Sequence, residues 1–173
     1  LHNLYKISSF RVLKNKIKSF YEYVMSIITL PFDKEALKKV GEALSYLKFM
    51  PILMKGYMKV QSNGMDEAID IYIDAVDKAP GFVPLYCLLG DIYSSLGQFE
   101  NAITEYKMAI WLDSLNIPAY RHLCKAYEDL GDYDNAIEVY NKLIQIMPNM
   151  PEFHSNLANI LYVKGDIDAA VSH

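Results

Sequence analysis

The sequence predicts an all-α solenoid built from antiparallel helix hairpins, and three observations carry that expectation. First, Ala68, Ala102, Ala136 and Ala170 recur every 34 residues without a slip, Tyr72, Tyr106 and Tyr140 keep the same step, and the glycines Gly97, Gly131 and Gly165 follow it. A period of this length marks stacked supersecondary units, none of which can bury its apolar face alone. Second, apolar residues within each unit recur at three and four, the spacing of one helix face. Third, 52% of the 173 residues are hydrophobic, ample for a core. Even so, no run approaches the roughly 18 consecutive apolar residues of a membrane span.

The unit from Pro84 to Pro118 is the clearest. Pro84 suits the first turn of a helix, where a missing N–H costs nothing. Leu85, Leu88, Leu89, Ile92, Tyr93 and Leu96 then form one stripe up to Gly97, which favours the left-handed cap. A second stripe, Phe99, Ala102, Ile103, Tyr106, Ala109 and Ile110, follows at once, so the unit reads as a hairpin. Gly90, Cys124 and Ala158 share one repeat position, where a small residue lets two backbones approach, and the alanine series is expected to face it. The rings of Tyr93, Tyr127, Tyr106 and Tyr140 are expected to fill the gaps between units.

These residues resemble the tetratricopeptide repeat family, a 34-residue helix-turn-helix. The match is Leu89, Gly90, Tyr93, Ala102, Tyr106 and Ala109 in one unit, then Leu123, Cys124, Tyr127, Gly131, Tyr133, Ala136, Tyr140 and Pro148 in the next. Pro80 closes the unit before, whereas Ser114 replaces proline in the middle one. The resemblance covers about residues 50 to 173. It implies a right-handed superhelix whose concave groove binds protein segments.

From the amino-terminal end, the chain divides by charge. Residues 1 to 48 hold nine Lys and Arg against four Asp and Glu, and residues 49 to 173 hold eight against seventeen. Residues 1–32 read as a basic amphipathic helix, with Phe10, Leu13, Ile17, Phe20, Val24 and Ile27 on one face and Arg11, Lys14 and Lys18 opposite. Two readings stand: a cap laid on the first repeat, or a helix at a membrane surface. Nucleic acid is disfavoured because the acidic remainder repels phosphates. The start lacks a small-residue cleavage pattern, so it does not read as a secretory signal. The first residue is leucine, which reads as a fragment or processed chain.

Pro31 breaks the pattern, and Asp33 is an N-cap candidate for a helix from about Lys34 to Lys48. Residues 33–49 resemble the second helix of a degenerate repeat, with Phe20 to Leu30 as its first. Four repeats follow at 50–82, 83–116, 117–150 and 151–173, the last truncated. Two frames fit the first of them. Pro51 and Gly64 are thirteen apart, as Pro84 and Gly97 are, which places Met54 and Met58 in the groove. Anchoring on Gly56, 34 before Gly90, places Leu53 and Tyr57 there instead. The first frame is preferred, because the second puts Lys55 and Lys59 at core positions.

The resemblance implies that first helices line the groove. The candidate partner-binding residues are Met54 and Met58, then Cys87, Asp91 and Ser94, then Arg121, Lys125 and Glu128, then Ser155, Asn159 and Tyr162. Arg121 and Lys125 lie one turn apart and can receive a carboxylate, or they pair with Glu128, Asp129 or Asp91. The family subtype that grips chaperone tails needs a lysine and two asparagines where this chain has Met54, Met58 and Asp91, so chaperone-tail binding is disfavoured.

No enzyme is predicted. His2, His122, His154 and His173 are scattered, and His154 falls where other units have Tyr86 and Tyr120. Cys87 and Cys124 lie on different faces and imply neither disulfide nor metal site. Asp66, Asp70, Asp74 and Asp77 follow helical spacing and read as a solvated face. No cofactor is implied. The expected function is a cytoplasmic protein-interaction scaffold or adaptor binding a protein or peptide; the alternative is a targeting or regulatory arm of a larger enzyme or membrane-associated protein. The last repeat is expected to leave Leu157, Leu161 and Ile167 uncovered, so that either the natural chain continues past His173 or this edge self-associates.

Overall fold

The structure is a computed structural model and describes residues 34–171. The predicted basic amphipathic helix and the first helix of the degenerate repeat lie outside the described residues. Within them the chain is helical throughout. Its elements are α1 (Lys34–Gln61), α2 (Met65–Lys78), α3 (Val83–Ser95), α4 (Phe99–Leu112), α5 (Ile117–Leu130), α6 (Tyr133–Ile146), α7 (Pro151–Lys164) and the short α8 (Ile167–Val171). They fall into two compact units, residues 1–82 and 83–173.

In the first unit α1 and α2 form a hairpin. The helix expected to stop near Lys48 runs on to Gln61, with Pro51 inside it. Proline removes the donor that would reach the Leu47 carbonyl. Leu47 and Pro51 both lie on the exposed side, where solvent can take that carbonyl, so the helix survives the loss. The opposite side of α1 buries Phe49 and Leu53, and Ala43, one turn before Leu47, is buried as well. Phe82, from the loop after α2, stacks on Phe49 with centroids 4.6 Å apart and meets Tyr46 edge-on at 5.1 Å.

The frame preferred for this hairpin is corrected. A Cβ added at Gly56 would overlap the Tyr72 ring, just as one added at Gly90 would overlap Tyr106. Gly56 and Gly90 are 34 apart, as are the two tyrosines. The turn agrees: among the described residues those with positive φ are Asn63, Gly97, Gly131 and Gly165, again every 34, with Asn63 at φ 67°. Asparagine is among the side chains that best tolerate this region, which is why the turn needs no glycine there. The next residue in each turn closes the same backbone bond: Gly64 N–H to Lys59 O at 2.8 Å, then Gln98 to Tyr93, Asp132 to Tyr127 and Asp166 to Leu161, each at 2.9 Å. Gly64 thus takes the place of Gln98, Asp132 and Asp166, not that of Gly97. The feared lysines are accommodated, since Lys55 is exposed and Lys59 pairs with Glu67.

The second unit stacks three hairpins, α3–α4, α5–α6 and α7–α8. Asn116 caps α5 by accepting from the Ala119 N–H at 3.0 Å, with Pro118 in the first turn, and Asp132 caps α6 from Asn135 at 3.2 Å. Ala102, Cys124, Ala126, Ala136 and Leu143 are wholly buried, and Tyr106, Tyr120, Tyr127 and Tyr140 join them in one core. The atoms nearest to a Cβ added at Gly90 belong to the Tyr106 ring of its own hairpin. The expectation for the last repeat is also corrected in part. Leu157 and Leu161 are buried beside Ala169 and Ala170, and only Ile167 of the three is exposed.

These contacts set the first prediction. Gly90→Ala and Ala102→Leu should each lower stability by about 1 to 3 kcal/mol, because neither site has room for added atoms. Glu100→Ala, on an exposed face, should change it by no more than about 0.5 kcal/mol. Urea unfolding followed by circular dichroism reads all three. Equal midpoints for the parent and all variants would contradict the packing.

Candidate functional site

The candidate residues of the second unit sit on α3, α5 and α7 at intervals of four and three, so each helix presents them on one face. Cys87 begins the row and is buried, so it supports the face from beneath. Asp91, Ser94 and Glu128 are half-buried, and Arg121, Lys125, Ser155, Asn159 and Tyr162 are exposed. In the first unit Met54 and Met58 are exposed, but the corrected frame gives the positions equivalent to Cys87 and Asp91 to Leu53 and Tyr57.

Asp91 is the most tightly held of these groups. Its Oδ1 accepts from the Tyr106 hydroxyl of α4 at 2.9 Å and from His122 Nδ1 of α5 at 2.6 Å. A carboxylate facing two donors fixes the His122 tautomer, with the proton on Nδ1. The Tyr106 and His122 rings meet edge-on, 5.4 Å between centroids. Burial first, and then the Asp91 charge and hydrogen bond, push the Tyr106 hydroxyl far above its ordinary range, so it remains a donor. One carboxylate thereby ties three helices together. In the next hairpin Tyr140 donates instead to Glu128 Oε1 at 2.8 Å. There Cys124 places a side chain where Gly90 has none. In the first hairpin Tyr72 donates to the Leu53 carbonyl at 3.1 Å.

The cations are held more loosely. Arg121 pairs with Glu152 of α7 at 2.6 Å, and Lys125 pairs with Asp129 at 2.7 Å and Glu128 at 4.0 Å. All five groups are at least partly solvated, and pairs of this kind contribute only about 0 to 1 kcal/mol. A ligand carboxylate can therefore replace the present partner at little cost. Sequence reasoning anticipated the Lys125 pairs but missed Glu152 and the role of His122. A signal existed: Asp91 to His122 and Arg121 to Glu152 are both 31 residues apart, one repeat less three. His154, expected as a packed aromatic, is half-buried with Nε2 2.9 Å from the Pro148 carbonyl.

Among the described residues no group of His, Cys, Asp and Glu is arranged to hold a metal ion. Cys87 and Cys124 are both buried and neither is in a disulfide. Burial, and after it the Glu128 charge, push the Cys124 thiol far above the ordinary thiol range. Among the described residues no helix is long and apolar enough to cross a membrane.

Two outcomes are expected. Asp91→Ala should cost about 1 to 3 kcal/mol, since it strands the buried Tyr106 hydroxyl. Combining it with Tyr106→Phe should cost less than the sum of the two single changes, because one hydrogen bond is lost twice over in the sum. Additive urea midpoints would contradict the link. Iodoacetamide at pH 8 should label Cys124 only after unfolding, because the thiol is buried and kept protonated; mass spectrometry with and without urea checks this.

Residues 90–131 and 125–165 match the family model described as TPR repeat. The fold is similar to that of the crystal structure of MamA, at TM-score 0.63 and 23% identity, over 83% of this chain and 91% of that one. It is also similar to the first TPR of Spaghetti (RPAP3) bound to HSP90 peptide SRMEEVD, at TM-score 0.59 and 24% identity, over 69% and 97%. A third is the second TPR domain of the human RPAP3 protein in complex with HSP70 peptide SGPTIEEVD, at 0.58 and 17%, over 66% and 96%. No curated protein matches the sequence. Residues 90–165 therefore match the tetratricopeptide repeat, and the chain has the fold of the solenoids to which it is similar.

Proposed function

We propose that this chain is a protein-interaction scaffold whose second unit binds an acidic partner segment along the face shared by α3, α5 and α7. The observation that carries this reading is the pair Arg121 and Lys125, one turn apart, on the solvent side, and held by exchangeable surface partners. Ser155, Asn159 and Tyr162 extend the face with hydrogen-bonding groups and a ring, while Asp91 and Glu128 are committed to Tyr106 and Tyr140. Two of the structural neighbours are complexes with the acidic peptides SRMEEVD and SGPTIEEVD, which supports a peptide as the class of ligand.

The chaperone-tail subtype remains disfavoured, because the corrected frame supplies Leu53, Tyr57 and Asp91 where it needs a lysine and two asparagines. On this reading the chain catalyses nothing, binds no nucleic acid and works in the cytoplasm. The charge division of the sequence favours one further role, a targeting arm in which the basic residues before Glu22 meet an anionic membrane surface. Self-association is assigned to the edge around the exposed Ile167.

The test is isothermal titration with a partner isolated by affinity pull-down. Arg121→Glu with Lys125→Glu should weaken binding and flatten its salt dependence, since exposed ionic contacts are screened over about 10 Å at 0.1 M salt. Circular dichroism should be unchanged. Intact affinity at unchanged helicity would place binding elsewhere.

A further inference from the structure

Helix α1 is apolar on two sides, and among the described residues only one of them is packed within its own unit. The side carrying Phe49, Leu53 and Gly56 packs on Tyr72 and Phe82, while Ala43, one turn before Leu47, is buried at the edge of the other side. The other carries Val40, Leu44, Leu47, Pro51, Met54 and Met58, at steps of four and three throughout. Leu44 is 59% exposed, Leu47 51%, Met54 50% and Met58 65%. A strict alternation of four and three is the spacing of a coiled-coil seam, meant to receive the knobs of a second helix. A continuous apolar stripe of this length on a helix surface marks an interaction site.

The second unit shows what shape covers such a side. Pro51, Lys55 and Met58 are equivalent, by the 34-residue step, to Ala119, Leu123 and Ala126 of α5. Those three are buried, and α5 packs on α4, the second helix of the preceding hairpin. On α1 the same positions are open, and one of them is a lysine. Lys55 therefore stands where the array elsewhere places a buried leucine. Lys48, one heptad before it, is exposed on the same flank.

We infer that the outward side of α1 is a docking surface for an amphipathic helix of another protein, apolar along its seam and acidic on the flank that meets Lys48 and Lys55. Charges beside the seam select the partner of a helix pair, and here they call for glutamate or aspartate. A second copy of α1 brings lysine to lysine in the antiparallel arrangement and offers no carboxylate in the parallel one. The preceding 33 residues of this chain hold five Lys and Arg against two acidic residues, so their charge also opposes this flank. An acidic helix is the occupant that the charges favour.

Two synthetic three-heptad helices, both with leucine at the seam, test this on the full chain. One carries glutamate on both flanks and the other lysine; their own like charges keep each from pairing with itself. Fluorescence anisotropy should show the acidic helix binding roughly tenfold more tightly, with the preference reversed by Lys48→Glu with Lys55→Glu. Leu47→Asp and, separately, Met54→Asp should each weaken the acidic helix by roughly tenfold or more, by setting an unpaired charge in the seam. Circular dichroism should stay unchanged in both. Equal binding of the two helices, or binding insensitive to both seam changes, overturns the inference. So does a dimer in sedimentation that Leu47→Asp dissolves, binding to anionic vesicles in place of the acidic helix, or binding that appears only after Leu13→Asp with Ile17→Asp.

Discussion

The close approach of a second-helix tyrosine ring to a first-helix glycine sets the register of this array. At Gly56 and Tyr72, and again at Gly90 and Tyr106, the ring occupies the space a Cβ would need. Burying a phenol there creates an obligation, since its hydroxyl must find an acceptor or forfeit about 1 to 3 kcal/mol. Each hairpin meets it differently, through the Leu53 carbonyl, Asp91 or Glu128. The acceptor then decides which carboxylates of the first-helix face are fixed. Asp91, holding both Tyr106 and His122, becomes part of the framework rather than a free contact.

The fold was legible because small and aromatic residues both keep the 34-residue step, and helix packing makes that step visible in sequence. The first hairpin was harder. Gly64 looked like the turn glycine because glycine is the default for a left-handed cap, yet Asn63 takes that conformation. Pro51 looked like a helix start, but its missing donor faces solvent and the helix continues through it. Lys55 and Lys59 looked unfit for the core, and both escape it, one to water and one to Glu67. Local residue preference misled at each point where an exposed or paired alternative was available.

The candidate site was legible in residue type but not in connection. Comparing equivalent positions finds Arg121 and Lys125, whereas contacts between neighbouring hairpins fall three residues short of the repeat. Glu152 and His122 therefore escaped notice until the helices were placed. The same step now divides the surface by use. In the second unit the face of α3, α5 and α7 keeps loosely paired cations in water, suited to an extended acidic segment. In the first, α1 keeps an apolar seam that is exposed among the described residues, with a basic flank suited to a helix. At Lys55 the first unit exposes a lysine where the other hairpins bury a leucine.

The register is tested most directly by nuclear Overhauser contacts between the Gly56 α-protons and the Tyr72 ring, beside those between Gly90 and Tyr106. Both sets should be strong and of similar intensity, because the two hairpins share one frame. Strong contacts from Tyr72 to the α-proton of Tyr57 in place of Gly56, with the Gly90 set intact, would contradict it and return Met54 and Met58 to the positions of Cys87 and Asp91.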